Sequence, residues 1–203
     1  MRTVVPPGQV DPAAARRRRV VALGTVAAAL TVTAALLLVL RPAPLVPGTA
    51  RTLMAVDTQA QVDALFDTEI PVSASRWRYI YVHHGGSDAT AADGPDHFVL
   101  GNGRESGDGE VRIGQRWNRQ QPAGKTKGLD RVDPDCVSVC LAGDLDRAVP
   151  TARQMDQLAR LVRALQDRLQ VPGERVMIVE APGLPAGCGK YFPRDAFRAG
   201  LIP

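Results

Sequence analysis

The sequence predicts an α/β (α+β) domain built around one β-sheet and preceded by a single transmembrane helix. Three observations predict it. An uncharged run of 21 residues occupies positions 20–40. Short stretches rich in aromatic and β-branched residues recur between positions 77 and 180. One long amphipathic stretch, 151–169, separates the last two of them. Strands interleaved with helices around long loops indicate one sheet with helices packed on it.

The 203 residues leave room for one soluble domain of ordinary size and an N-terminal appendage. With 45% apolar and 23% charged residues, a packed core is expected and wholesale disorder is not. An aromatic content of 4% argues against a stacking platform for single-stranded nucleic acid. The net charge of +4 is unevenly placed. Residues 1–41 hold six arginines (Arg2, Arg16, Arg17, Arg18, Arg19 and Arg41) and one acid, Asp11, leaving 19 basic and 20 acidic side chains in the other 162 residues. The positive charge therefore belongs to the tail, and nucleic acid is not an expected partner.

Residues 20–40 read VVALGTVAAALTVTAALLLVL. As a helix this run spans roughly 31 Å, close to the thickness of a hydrocarbon core. Arg16 to Arg19 precede it directly and only Arg41 follows closely, so the N-terminus is expected in the cytoplasm and the domain outside, in the periplasm. A cleaved signal peptide is the rival reading, with Gly48-Thr49-Ala50 as its small-residue site. The length of the apolar run favours an uncleaved signal anchor. The organisation read from the chain is a basic cytoplasmic tail at 1–19, the membrane helix at 20–40, a Pro-rich linker at 41–56 and a folded domain at 57–203.

Within the domain, 57–67 puts Val62, Leu65 and Phe66 on one face of a short helix. WRYIYVHH (77–84) reads as a strand, GGSDATAADGPD (85–96) as a loop, and HFVL (97–100) as a second strand. GNGRESGDG (101–109) turns the chain into a hairpin partner at 110–117. It lacks the Gly-Lys-Ser/Thr of a phosphate loop, and Arg104 stands where a calcium loop needs oxygen. CVSVCL (136–141) is a short buried strand, with Cys140 a core residue and Asp144 and Asp146 turning the chain after it.

In 151–169, Met155, Leu158, Val162, Leu165 and Leu169 form one apolar stripe. Thr151 with Gln154 suggests a capping box, and Pro172-Gly173 a stop. A strand at 175–180 and a helix at 193–200 complete the chain. Cys136 and Cys140, on one strand, lie about 13 Å apart and cannot bridge each other. Either could pair with Cys188 in an oxidising compartment, in competition with a metal role for that thiol.

Six segments in this order resemble the type 2 N-acetylmuramoyl-L-alanine amidases, whose fold is shared with peptidoglycan recognition proteins. They are WRYIYVHHGG (77–86), HFVLGNG (97–103), GDGEVRIGQRW (107–117), CVSVCLAGDLD (136–146), PTARQMDQLARLVRALQDRL (150–169) and CGKYFP (188–193). The resemblance implies a mixed β-sheet flanked by helices. It also implies a zinc ion held by three protein ligands with a fourth position open, which activates water against the muramoyl–alanine amide. Residue by residue, the first ligand falls on His83; His84, facing the other side of the strand, cannot join it. The third falls on Cys188, in Cys188-Gly189-Lys190 where the family has Cys-Pro-Gly.

The second ligand, a His in the family, falls on Val179. The family's catalytic Tyr falls on Asp96, its Gly-x-His on Gly124-Lys125-Thr126, and a Lys before the last ligand on Ala186. Asp96 is the nearest group able to complete the set, as a carboxylate. His97 reads as a structural strand residue.

With two of three ligands the resemblance implies a domain impaired in hydrolysis and without a full zinc site, whose partner is peptidoglycan stem peptide or a muropeptide. An active zinc amidase with an altered ligand set, or a structural, protein-binding module on the same fold, are the alternatives.

Overall fold

A computed structural model describes residues 51–85, 94–104, 106–125, 133–178 and 188–203. The chain divides into two units, Met1–Leu45 and Val46–Pro203, and every described residue belongs to the second. The expected basic tail, the membrane helix at 20–40, Val179 and Ala186 lie outside the described residues. Among the described residues no helix is long and apolar enough to cross a membrane.

The strands are β1 (Arg51–Leu53), β2 (Tyr79–His84), β3 (Phe98–Leu100), β4 (Val111–Ile113), β5 (Cys136–Leu141) and β6 (Val176–Ile178). The helices are α1 (Gln59–Phe66), α2 (Gln115–Asn118), α3 (Ala152–Leu169) and α4 (Arg194–Ala199). The strands form one mixed sheet in the order β1-β4-β3-β5-β2-β6. β3, β5, β2 and β6 run parallel, while β4 and β1 are antiparallel additions on the β3 side. The hairpin expected across residues 101–109 is the β3–β4 pair, with Phe98 opposite Ile113 and Leu100 opposite Val111.

Three expectations need correction. Residues 51–53, read as part of the linker, are β1, hydrogen-bonded to β4. The strand expected at 110–117 ends at Ile113, and Gln115–Asn118 turns into a short helix behind Gly114. That turn drives Trp117 into the core, where its Nε1–H donates to the Leu65 carbonyl at 2.6 Å. Finally, α3 is not stopped by Gly173: Gln170 adopts the left-handed conformation (φ 57°, ψ 42°) and ends it, three residues before that glycine.

Side-chain alternation along the parallel strands sorts the sheet into two faces. Ile80, Val82, Val137, Val139, Leu141, Phe98 and Leu100 bury on one face, in the same cluster as Leu158, Leu161, Val162, Leu165 and Leu169 of α3. Each such side chain removed from water stabilises the fold by about 1.5–3 kcal/mol.

Thr151 caps α3 by accepting from the Gln154 N–H at 2.9 Å, but the reciprocal half of the box is not made. The Gln154 amide instead donates to the carbonyls of Leu100 and Ala142, at 3.1 and 3.0 Å, tying the helix to the ends of β3 and β5. In α1 both halves are present, between Thr58 and Gln61.

Candidate functional site

The second face of the sheet carries the polar chemistry. β2 and β5 pair with His83 beside Cys140, and β3 and β5 pair with Val99 beside Cys140, so these three side chains share that face. Asp96 enters from the segment just ahead of β3. Its Oδ1 lies 2.8 Å from His83 Nε2, with both side chains buried. One ligand atom each from His83, Asp96 and Cys140 lies within 4.8 Å of the other two. His83 Nδ1 is 3.4 Å from the His84 carbonyl oxygen.

Strand alternation separates the two neighbouring histidines as expected. His84 points to the other face, its Nδ1 3.4 Å from the Leu145 N–H and its Nε2 3.8 Å from the Asp146 carboxylate. Asp144 turns the chain here by accepting from the Asp146 N–H at 3.0 Å.

His97 is structural. Its Nε2 lies 2.8 Å from the Gln121 carbonyl oxygen and its Nδ1 accepts from the Ser138 N–H at 3.0 Å, while Trp77 and Trp117 meet the ring edge-on. Burial lowers its pKa to about 4; the Gln121 hydrogen bond and Asp96 oppose this, and Arg116 and Arg76 add to it. The ring is therefore neutral at pH 7, with the proton on Nε2.

Cys188 lies near the three converging groups, at the carbonyl of the residue before His83. Its Sγ donates to the Val82 carbonyl at 3.1 Å, and it packs in the main core cluster, whereas Cys140 clusters with Val99 and Ala142. Among the described residues, Cys188 is not one of the three groups whose ligand atoms lie within 4.8 Å of one another. The following residue, Gly189, has φ +83°, and a Cβ there would meet the Leu145 backbone at 2.5 Å. Proline, with φ fixed at about −65°, cannot adopt that conformation. Cys140 is the core residue that the sequence predicts, fully buried on β5, and the β2–β5 register sets it beside His83.

All three cysteines are buried and unbridged, so neither pairing with Cys188 is present. Burial pushes the Cys136 and Cys188 thiols up to about 12, with Asp133 and Asp96 adding to the first and Arg194 opposing the second. Burial, then Asp96 and Cys188, raises the Cys140 thiol well above its ordinary range. Thiolate is the reactive form. A chromogenic disulfide reagent at pH 8 is expected to find essentially no thiol in the native protein and three per chain after denaturation. A count of one in denaturant would mean that a bridge exists.

No protein-family model matches the chain, and no curated protein does. Solved structures similar to it include two from Clostridium intestinale URNW. One is the endolysin N-acetylmuramoyl-L-alanine amidase LysCS, at 16% identity over 66% of this chain and 90% of that one, with a TM-score of 0.40. The other is the N-acetylmuramoyl-L-alanine amidase LysC, at 18% identity over 66% and 91%, with a TM-score of 0.42. A third, the peptidoglycan recognition protein PGRP-Hd from Alvinella pompejana, is similar at 14% identity over 63% and 85%, with a TM-score of 0.41.

Proposed function

We propose that this chain is a membrane-tethered, extracytoplasmic domain that binds peptidoglycan stem peptide without cutting it. The peptidoglycan part is supported by the six ordered segments from 77 to 193 that resemble the type 2 amidases. The tether is supported by the uncharged run at 20–40 behind four consecutive arginines. The observation that carries the loss of hydrolysis is the closed pairing of His83 with Asp96. A hydrolytic zinc needs an open coordination position reached by water and by the scissile carbonyl. Here His83 Nε2 is engaged at 2.8 Å by Asp96, and the two residues are only 3% and 6% exposed. Asp96 also occupies the position where the family has its catalytic Tyr, so a group able to donate a proton to the developing oxyanion is replaced by one that accepts.

The test uses the full chain in detergent, mixed with purified cell-wall sacculi and pelleted. Co-sedimentation without release of free stem peptide is the expected result. Protein that stays in the supernatant would sink the peptidoglycan assignment, and stem-peptide release that a chelator stops would sink the claim that hydrolysis is lost.

A further inference from the structure

We infer that the cavity between the turn after β3 and the start of α3 binds a short peptide ending in a free carboxylate. Neither His83 nor Asp96 lines this cavity, and the inference does not depend on the peptidoglycan reading.

The cavity holds about 470 Å³, within the range of small-molecule sites. Asn102, Arg104 and Ser106 form one wall, the loop at 142–150 the other, and the first turn of α3 closes the end. These parts are tied together. Thr151, the cap of α3, donates its hydroxyl to the Asp108 carboxylate at 2.5 Å. Asn102 Oδ1 accepts from the Arg104 N–H at 3.1 Å. Gly143 has φ +110°, and a Cβ there would meet the Asn102 amide nitrogen at 2.9 Å, so turn and loop are in close contact. The space is thus formed in advance, which lowers the ordering cost of binding.

Gln154 is the group that calls for a ligand. It lines the cavity and is fully buried. Its side-chain nitrogen donates to the Leu100 and Ala142 carbonyls at 3.1 and 3.0 Å, which fixes which end of the amide is oxygen. Among the described residues, Oε1 is then a buried acceptor with no donor. That leaves a desolvation cost which a ligand N–H recovers. A bare oxyanion has no such donor, whereas a peptide amide does.

Charge selects the other end of the ligand. The lining carries Arg104, Arg147 and Asp144, two guanidiniums against one carboxylate. The N-terminus of α3, a helix of 18 residues, adds to the positive side. Arg147 pairs with Asp144 through Nε at 3.3 Å, but its side chain is 86% exposed, and so open a pair is weak. A guanidinium has five donors, so Arg104 and Arg147 can each grip a carboxylate with two parallel bonds. Leu145, Ala148 and Val149 add apolar wall that suits small apolar side chains.

The experiment is an NMR titration of the full, isotope-labelled chain in detergent with N-acetyl-alanyl-alanine. The peptide is expected to shift the backbone signals of Gly143, Ala148 and Val149 and to leave those of Tyr79 and Arg175 in place. Its C-terminal amide should bind about 10-fold or more weakly, from the loss of one charge-assisted contact. N-acetyl-alanyl-lactate, which lacks the N–H between its two units, should bind roughly 2- to 10-fold more weakly. In the double variant Arg104→Gln, Arg147→Gln, both exposed positions, acid and amide should bind alike. Equal affinity for acid and amide in the wild-type chain would overturn the inference. So would shifts centred away from the loop at 142–150, or no binding of either peptide at millimolar concentration.

Discussion

Trp117→Ala is expected to destabilise the domain by about 3–5 kcal/mol, the range for removing a large buried aromatic side chain. Trp117 is fully buried at the meeting point of several elements. Its ring contacts those of Phe66 on α1, Trp77 ahead of β2, His97 and Phe98 on β3, at centroid separations of 6.2, 5.7, 6.0 and 5.0 Å. Truncation opens a cavity among four groups that cannot all close on it. It also strips the Leu65 carbonyl of its buried donor. A domain of this size is typically stable by about 5–15 kcal/mol, so the change consumes a large fraction of the total. Urea unfolding followed by tryptophan fluorescence of Trp77 reads it out. A loss below about 1 kcal/mol would mean that the ring is not the centre of the core.

The second large effect is an acid weakness located at His97. The unfolded imidazole takes up a proton near its ordinary pKa of about 6.5, whereas the folded ring, held neutral by burial, does so only at about 4. Between those values the unfolded state binds more protons, so stability falls as pH drops through the window and is fully present above it. The full depression corresponds to roughly 3 kcal/mol. The charged groups acting on the ring are Asp96, which favours protonation, and Arg116 and Arg76, which oppose it. Urea midpoints measured from pH 7.5 down to pH 4 should fall steadily. In His97→Gln, which starts less stable at pH 7.5 because the Gln121 and Ser138 contacts are weakened, the slope between pH 6.5 and 5 should flatten. An unchanged slope in that variant would assign the acid weakness to other groups.

The elements legible in the sequence are those whose pattern is long or unambiguous. The apolar stripe from Leu158 to Leu169 announces α3, and Thr151 its cap. The aromatic and β-branched run before His84 announces β2, while CVSVCL is β5 from its first residue to its last. What went unread has a common cause. β1 is three residues long and exists only because β4 lies beside it. Gln154, Gln157 and Gln166 look like the solvent side of an amphipathic helix, yet all three are buried. Each spends its amide on main-chain groups outside the helix, at Leu100 and Ala142, at Val56, and at Val171 and Ile202.

The site divides in the same way. Sequence alone determined that His83 ends a strand with His84 on the other face, because alternation is a property of the strand itself. It also singled out Asp96 as the carboxylate near that histidine. Which thiol stands beside them was decided only by strand register, which sets Cys140 next to His83 across the β2–β5 pair. Periodicity is local and can be read along one chain. Proximity between donors on different strands depends on how the sheet is ordered, and that order is chosen by the packing of the whole core.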